Sequence, residues 1–304
     1  ARETANTITD DDDKACALTN IAVEQAESGF SNHASARAIF NLATTMAVRA
    51  DSKLYVAIGQ ARVGFLDEAI RTIDAITVPC DKSDALKEVA VGQVKAGLLD
   101  VAKATFMRAA AATTNDTMLQ RVAAKQAGAG FFDDAKETAD TIDDDDIGAL
   151  TLQVIGFEQA DAGFFNNAKE TADAIDNDDF KHTVLQKVAS KQAGSGLFDN
   201  AKETADAVID DDTKDGVLQE IVVAQAKAGF FADAKETADA IVDDDTKINA
   251  LGDVAVEQAR AGFFDEAKET ASIVASHDGE TNKLKEIAIA QSKAEIAVAK
   301  RSAT

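Results

Sequence analysis

Proline, sulfur and large aromatic residues are scarce in this chain. Its 304 residues include one proline, two cysteines, one tyrosine and no tryptophan. A single proline leaves few enforced breaks in helices. Cys16 and Cys80 are too few for a disulfide framework or a zinc site. They lie two sequence repeats apart, about 20 Å if helix layers stack at about 10 Å. A disulfide needs Cα atoms within about 7 Å, so no intrachain bridge is expected. Positive charge is also scarce. Thirty-one Lys and Arg face fifty-four Asp and Glu, a net charge of −23. This balance argues against duplex nucleic-acid binding, which needs a basic footprint, and against docking to anionic lipid. No run approaches the eighteen apolar residues of a spanning helix, so no membrane insertion is expected.

What is present is apolar and periodic. Hydrophobic residues make up 46% of the chain, too many for a disordered acidic tail. Glutamine recurs at one constant step at Gln60, Gln93, Gln126, Gln159, Gln192, Gln225, Gln258 and Gln291, with Gln25 two positions out of step. Glycine follows all but Gln291 at the next helical turn, at Gly29, Gly64, Gly97, Gly130, Gly163, Gly196, Gly229 and Gly262. Alanine recurs at Ala34, Ala69, Ala102, Ala135, Ala168, Ala201, Ala234 and Ala267, and the register shift places a two-residue insertion between about Ala34 and Val56. Such self-similarity is the mark of a repeat array.

Each unit reads as two helices. Leu251, Val254, Ala255, Gln258 and Ala259 share one helical face, and Gly262 stops that helix. Phe264, Ala267, Ala271 and Val274 mark a second helix, with Asp265 or a neighbour as its expected cap. Phe131, Phe132, Phe164, Phe165, Phe230, Phe231, Phe263 and Phe264 are expected to supply bulk at the turns. One pair cannot bury its apolar face alone, so neighbours must stack. The expected fold is an all-α, right-handed α-solenoid of about nine stacked helix-pair repeats, with residues 1–304 as one domain. The insertion predicts a long second helix near residues 34–48, in the one irregular repeat.

The unit resembles the tetratricopeptide (TPR) family over nearly the whole chain. Ala255 and Ala267 match the family's two small-residue positions, and Phe264 its turn aromatic. Leu251 and Gln258 stand where the family has Trp and Tyr, Ala271 replaces an aromatic, and the closing proline is absent. A HEAT-type or other helix-pair solenoid is the alternative. The resemblance implies a concave surface of first helices that binds peptides or partner proteins.

The candidate chemistry is sparse. The glutamine ladder is expected to be structural, each side chain satisfying backbone carbonyls at helix ends or a neighbouring turn. Acidic clusters recur at residues 10–13, at Asp143, Asp144, Asp145 and Asp146, at residues 176–179, at Asp210, Asp211 and Asp212, and at Asp243, Asp244 and Asp245. Clustered carboxylates make the sets at 143–146, 210–212 and 243–245 candidates for weak calcium binding. Helix capping along an acidic edge is the favoured reading. His33, His182 and His277 sit in different repeats and are expected at the surface or in loops. No spacing matches a catalytic triad, a phosphate loop or a zinc site, so no enzyme activity and no cofactor are expected.

Two functions follow. The first is a scaffold for protein–protein interaction. The exposed first-helix position two before the turn glycine varies: Arg62, Lys95, Gly128, Asp161, Gly194, Lys227 and Arg260. The second is a structural subunit that joins copies of itself head to tail into a filament. Ala-Lys-Glu-Thr-Ala recurs at five positions from Ala135 to Ala267, and residues 1–5 match a second helix while residues 283–301 match a first helix. Glu295 replaces the last turn glycine, which would extend that helix past the usual stop. The sequence starts at Ala1, and export is an expectation only if a leader was removed, so no compartment is specified. Self-repulsion at −23 should relax in salt. Light scattering is expected to rise with salt or divalent cations, and a flat response would contradict this.

Overall fold

A computed structural model describes residues 2–28, 33–275 and 281–302. Among them the secondary structure is entirely helical. A short α1 (Arg2–Ala5) precedes α2 (Asp11–Glu27) and α3 (His33–Met46). Then follow α4 (Ala50–Arg62), α5 (Leu66–Asp74), α6 (Pro79–Lys95), α7 (Leu99–Ala111), α8 (Asp116–Gly128), α9 (Phe132–Ala139) and α10 (Asp145–Asp161). The chain continues with α11 (Phe165–Asp173), α12 (Asp178–Gly194), α13 (Phe198–Asp206), α14 (Asp211–Lys227), α15 (Phe231–Asp239), α16 (Asp244–Ala261), α17 (Phe264–Ala275) and α18 (Thr281–Ser302). Even-numbered helices from α2 are the first helices of the pairs, and the odd-numbered ones from α3 the second.

Two compact units divide the chain, residues 1–158 and 159–304. In the first, α2 packs on α3 and α4, α4 on α5 and α6, and α6 on α7 and α8. In the second, α12 packs on α13 and α14, α14 on α15 and α16, and α16 on α17 and α18. A first helix thus touches its own second helix and the next first helix. This is the serial stacking of an all-α solenoid.

The periodic residues build the core. Ala69, Ala102, Ala135, Ala168, Ala201, Ala234 and Ala267 are all fully buried, so one small residue per second helix lets the layers approach. Leu185 with Val188, Leu218 with Ile221, and Leu251 with Val254 fill the facing first helices. Burial relocates the insertion. Ala36, Ile39, Phe40 and Ala43 are buried in α3, as Ala69, Thr72, Ile73 and Ile76 are at the matching positions one full repeat later. Ala34 is exposed. The two extra residues therefore lie between Gln25 and Ala36, around the turn, and not between Ala34 and Val56. The long second helix is present as α3, but that repeat is not the only irregular one. α7 has 13 residues and α17 has 12, against 8 or 9 in α5, α9, α11, α13 and α15.

The glycine stops form as the spacing predicts. Gly64, Gly97, Gly130, Gly163, Gly196, Gly229 and Gly262 all have φ between 77° and 90°. Gly29 lies outside the described residues. At each stop the amide after the glycine donates to the glutamine carbonyl, as in Phe164 to Gln159 at 2.8 Å, while the glycine amide donates three residues back, as in Gly163 to Ala160 at 3.1 Å. This pair of bonds is the Schellman motif. It makes the ladder glutamine the C3 residue of its helix. At six of the second helices the expected side-chain cap is absent. The N-cap residues of α5, α7, α9, α11, α13 and α15 are Phe65, Leu98, Phe131, Phe164, Leu197 and Phe230, and none makes a side-chain cap bond. The chain passes straight from the glycine stop into the next helix, leaving no residue in the extended conformation that a capping side chain needs. At the other end of the chain, α18 runs through position 295 without a stop.

Glycines within helices differ in what surrounds them. A Cβ at Gly59 would lie 2.5 Å from Thr19 Cγ2 and 3.3 Å from Phe40, whereas one at Gly216 would meet nothing within 4 Å. Gly59→Ala is expected to destabilise by about 1–3 kcal/mol through overpacking. Gly216→Ala is expected to stabilise by about 0.5–1 kcal/mol through helix propensity. Urea melts of both variants check the opposite signs.

Candidate interaction surface

From Gln60 to Gln258 the glutamine ladder is buried, Gln25 and Gln291 are half-buried, and the partners differ from those expected. Gln60, Gln126, Gln159, Gln192 and Gln258 accept through Oε1 from the hydroxyls of Thr72, Thr138, Thr171, Thr204 and Thr270, at 2.7–2.9 Å. Each threonine stands in the second helix of the same pair. Its hydroxyl also points at the carbonyl one helical turn back, as in Thr171 to Asn167 at 2.9 Å. The ladder therefore pins the two helices of a pair through side chains, and not through backbone carbonyls at helix ends. Sequence reading missed the partner although Thr recurs with the same period. Ile39 holds the threonine position in the first repeat. Gln93 Oε1 and Gln225 Oε1 are buried without a hydrogen-bond partner, as is Ser83 Oγ. Thr105 and Thr237 turn to their own helix carbonyls, at 2.9 Å.

The aspartates act mainly at helix starts. Asp10, Asp210 and Asp243 cap α2, α14 and α16, accepting the amides of Asp13, Thr213 and Thr246. Asp144 Oδ1 accepts the amide of Ile147 at 3.0 Å. Asn115 and Asn177 cap α8 and α12 in the same way. The Thr213 and Thr246 hydroxyls, and then their amides, hold the Asp210 and Asp243 carboxyls below the usual range. Asp143, Asp145, Asp146, Asp211, Asp212, Asp244 and Asp245 are exposed. No group of three His, Cys, Asp or Glu that could hold a metal forms among the described residues.

A second set of carboxylates ties one repeat to the next. Asp215, buried in α14, accepts the amides of Val242 and Asp243 at 3.0 and 2.7 Å, just before α16. Asp116 reaches Asp143 and Asp144 at 3.3 and 3.2 Å. His182 occupies the register of Asp215 in α12, and its Nε2 accepts the Ile209 amide at 3.4 Å. His182 is buried, a correction to the expected surface or loop position, because its ring replaces the clipping carboxylate. His277 and the side chain of His33 lie outside the described residues. Asp12 performs the same task one turn earlier, accepting the amides of Val48 and Arg49 at 2.8 and 3.0 Å. The Ser52 hydroxyl and then the Arg49 amide hold Asp12 below the usual carboxylate range. Lys181, Lys214 and Lys247 add ion pairs to Asp173, Asp206 and Asp239, at 3.0, 2.9 and 2.9 Å.

These depressed carboxyls set the acid limit. A group with a lowered folded-state pKa contributes stability above its unfolded value, near 3.8, and loses it as pH falls through the folded value. From pH 7 toward the isoelectric point near 4.4, falling net charge relieves self-repulsion. The melting temperature is expected to hold or rise from pH 7 to about 4.5 and fall steeply below about 3.8. Thermal melts by circular dichroism across this range check both limbs.

Two features face outward. The first-helix positions of Arg62, Lys95, Gly128, Asp161, Gly194, Lys227 and Arg260 are all exposed. Some pair along the first helices: Arg62 with Glu27 at 2.7 Å, and Asp161 with Lys187 and Lys191 at 3.0 and 2.7 Å. Lys191, then Lys187, lowers the Asp161 pKa. Lys87 is buried on this layer against Asp84 at 2.5 Å, which Arg121 also meets at 2.9 Å. Among the turn aromatics, Phe131, Phe132 and Phe231 pack against the core. Phe164, Phe230 and Phe263 are about half-exposed. Phe198 meets Phe230 and Phe231 meets Phe263 edge to face, with centroids 5.6 and 5.5 Å apart. Close alanine packing leaves the Phe164, Phe230 and Phe263 rings no place inside. Cys16 and Cys80 are free thiols, and burial pushes the Cys16 pKa up.

No helix is long and apolar enough to cross a membrane among the described residues. No family model and no curated protein matches the chain. The crystal structure of Ton1535 from Thermococcus onnurineus NA1 matches over 94% of each chain, at 19% sequence identity and a TM-score of 0.36.

Proposed function

We propose that this chain is a non-catalytic, TPR-like scaffold for protein–protein interaction. The carrying observation is a contrast between two registers of the first helix. The inward register is uniform, with a buried Gln and small residues in repeat after repeat from Gln60 to Gln258. The outward register changes sign and size from Arg62 and Lys95 through Asp161 to Lys227 and Arg260, and every one of those residues is exposed. A constant frame carrying variable charges suits the reading of a partner, since charge complementarity contributes to specificity more than to raw affinity. The test captures partners on the immobilised protein. Lys95→Glu with Lys227→Glu is expected to lose partners that wild type holds. Lys136→Glu with Lys235→Glu, on second helices, is expected to keep them. Equal loss in both would reject the first-helix layer as the reading surface.

Self-assembly into a filament is the second reading. Its support is the sameness of successive junctions, with the Lys181, Lys214 and Lys247 pairs repeating at 3.0, 2.9 and 2.9 Å. Negative-stain microscopy across concentration separates the two, since uniform fibres would favour assembly.

A further inference from the structure

The junction of α7 and α8 in the first unit leaves a hole. Ala110, Ala111 and Ala112 stand where Asp176, Asn177 and Asp178 stand two repeats later. With no capping side chain at that point, α7 continues to Ala111. α8 then starts only at Asp116, capped by Asn115. It has 13 residues where α12 and α14 have 17, so a full turn of first helix is missing. At this place lies a cavity of about 400 Å³. That falls in the roughly 300–1,000 Å³ range of small-molecule sites.

Its walls and its mouth differ in chemistry. Met107, Ala110 and Leu119 give it an apolar wall. Asp134, Glu137 and Asp143 also line it. Lys103 lies 3.0 Å from Asp134 Oδ2 and offsets that charge first, with a weaker attraction to Asp133 and Glu137. Glu137 and Asp143 are exposed, and neither is in an ion pair among the described residues. An apolar pocket under two carboxylates outside any ion pair matches a ligand with an apolar body and one positive end.

We propose that this cavity is a binding site for an amphipathic organic cation, such as an aryl-alkyl ammonium. The recognition is a division of labour. The alanine-rich end of α7 takes the apolar body, and Glu137 and Asp143 take the charge.

The test uses three matched probes on the full chain: 1-naphthylmethylammonium, 1-naphthalenemethanol and 1-naphthoate. The chain has no tryptophan and one tyrosine, so naphthyl fluorescence is read against a low background. The ammonium is expected to bind saturably and at least about tenfold more tightly than the carboxylate, from charge alone. Glu137→Gln with Asp143→Asn is expected to weaken the ammonium by about tenfold and leave the alcohol unchanged. Ala111→Phe, which fills the cavity from its exposed edge, is expected to abolish binding of both. Circular dichroism confirms that each variant keeps its helices, and the charge variant stands as the test should Ala111→Phe not fold. No saturable binding, equal affinity for ammonium and carboxylate, or binding untouched by the charge variant would each overturn the proposal.

Discussion

Replacing Phe106 with alanine is expected to cost about 3–5 kcal/mol, a large share of the roughly 5–15 kcal/mol that holds a domain. Phe106 is fully buried in α7, against Ala109, Leu86 and Val122. Its ring meets Phe131 edge to face with centroids 6.1 Å apart. In the equivalent position of later repeats the chain has Ala139, Ala172, Ala205 and Ala238. That substitution is tolerated there because the layers have closed on alanine. Here they have closed on a ring, so truncation leaves a void. Urea melts measure the loss, and hydrogen exchange is expected to place it in α6 to α9. Phe230→Ala, a half-exposed ring, is expected to cost less than about 2 kcal/mol. A loss below about 1 kcal/mol for Phe106→Ala would show that α7 collapses onto its neighbours.

Asp215→Ala is the second large effect, at about 2–4 kcal/mol. The carboxylate is buried and accepts two amides at once, those of Val242 and Asp243. A hydrogen bond to a charged group contributes about 1.5–3 kcal/mol, and part of each amide regains water when the acceptor is lost. Asp215→Asn keeps one acceptor oxygen and is expected to recover about half of the loss. Amide exchange at Val242 and Asp243 is expected to accelerate in the alanine variant, with the α14–α16 junction opening first. Asp211→Ala, at an exposed first-turn position, is expected to change stability by less than about 0.5 kcal/mol. Equal effects for Asp215 and Asp211 would remove the clip from the account.

The repeat, the helix pairs and the glycine stops were legible because each depends on local rules. A glycine at positive φ needs only its own backbone freedom, and the face of Leu251, Val254 and Ala255 needs only helical spacing. Aspartate caps were legible for the same reason. The insertion was misplaced because Ala34 stands 33 residues after Ala1, whereas Ala36, 33 residues before Ala69, occupies the buried site. The variable surface register was also readable, since its residues differ where their neighbours repeat. The cavity beside α7 was not, although the missing caps at Ala110 to Ala112 were in view.

The amino-acid sequence by itself determined the period, the helical class and the points where helices stop, since these follow from short-range geometry. Only the tertiary structure decided which atoms pair. Gln159 finds Thr171 in another helix, Asp215 finds the backbone of the next repeat, and Phe164 lies outside a core that alanine has closed. Each outcome depends on how closely neighbouring helices approach, a distance set by side chains far apart in the chain.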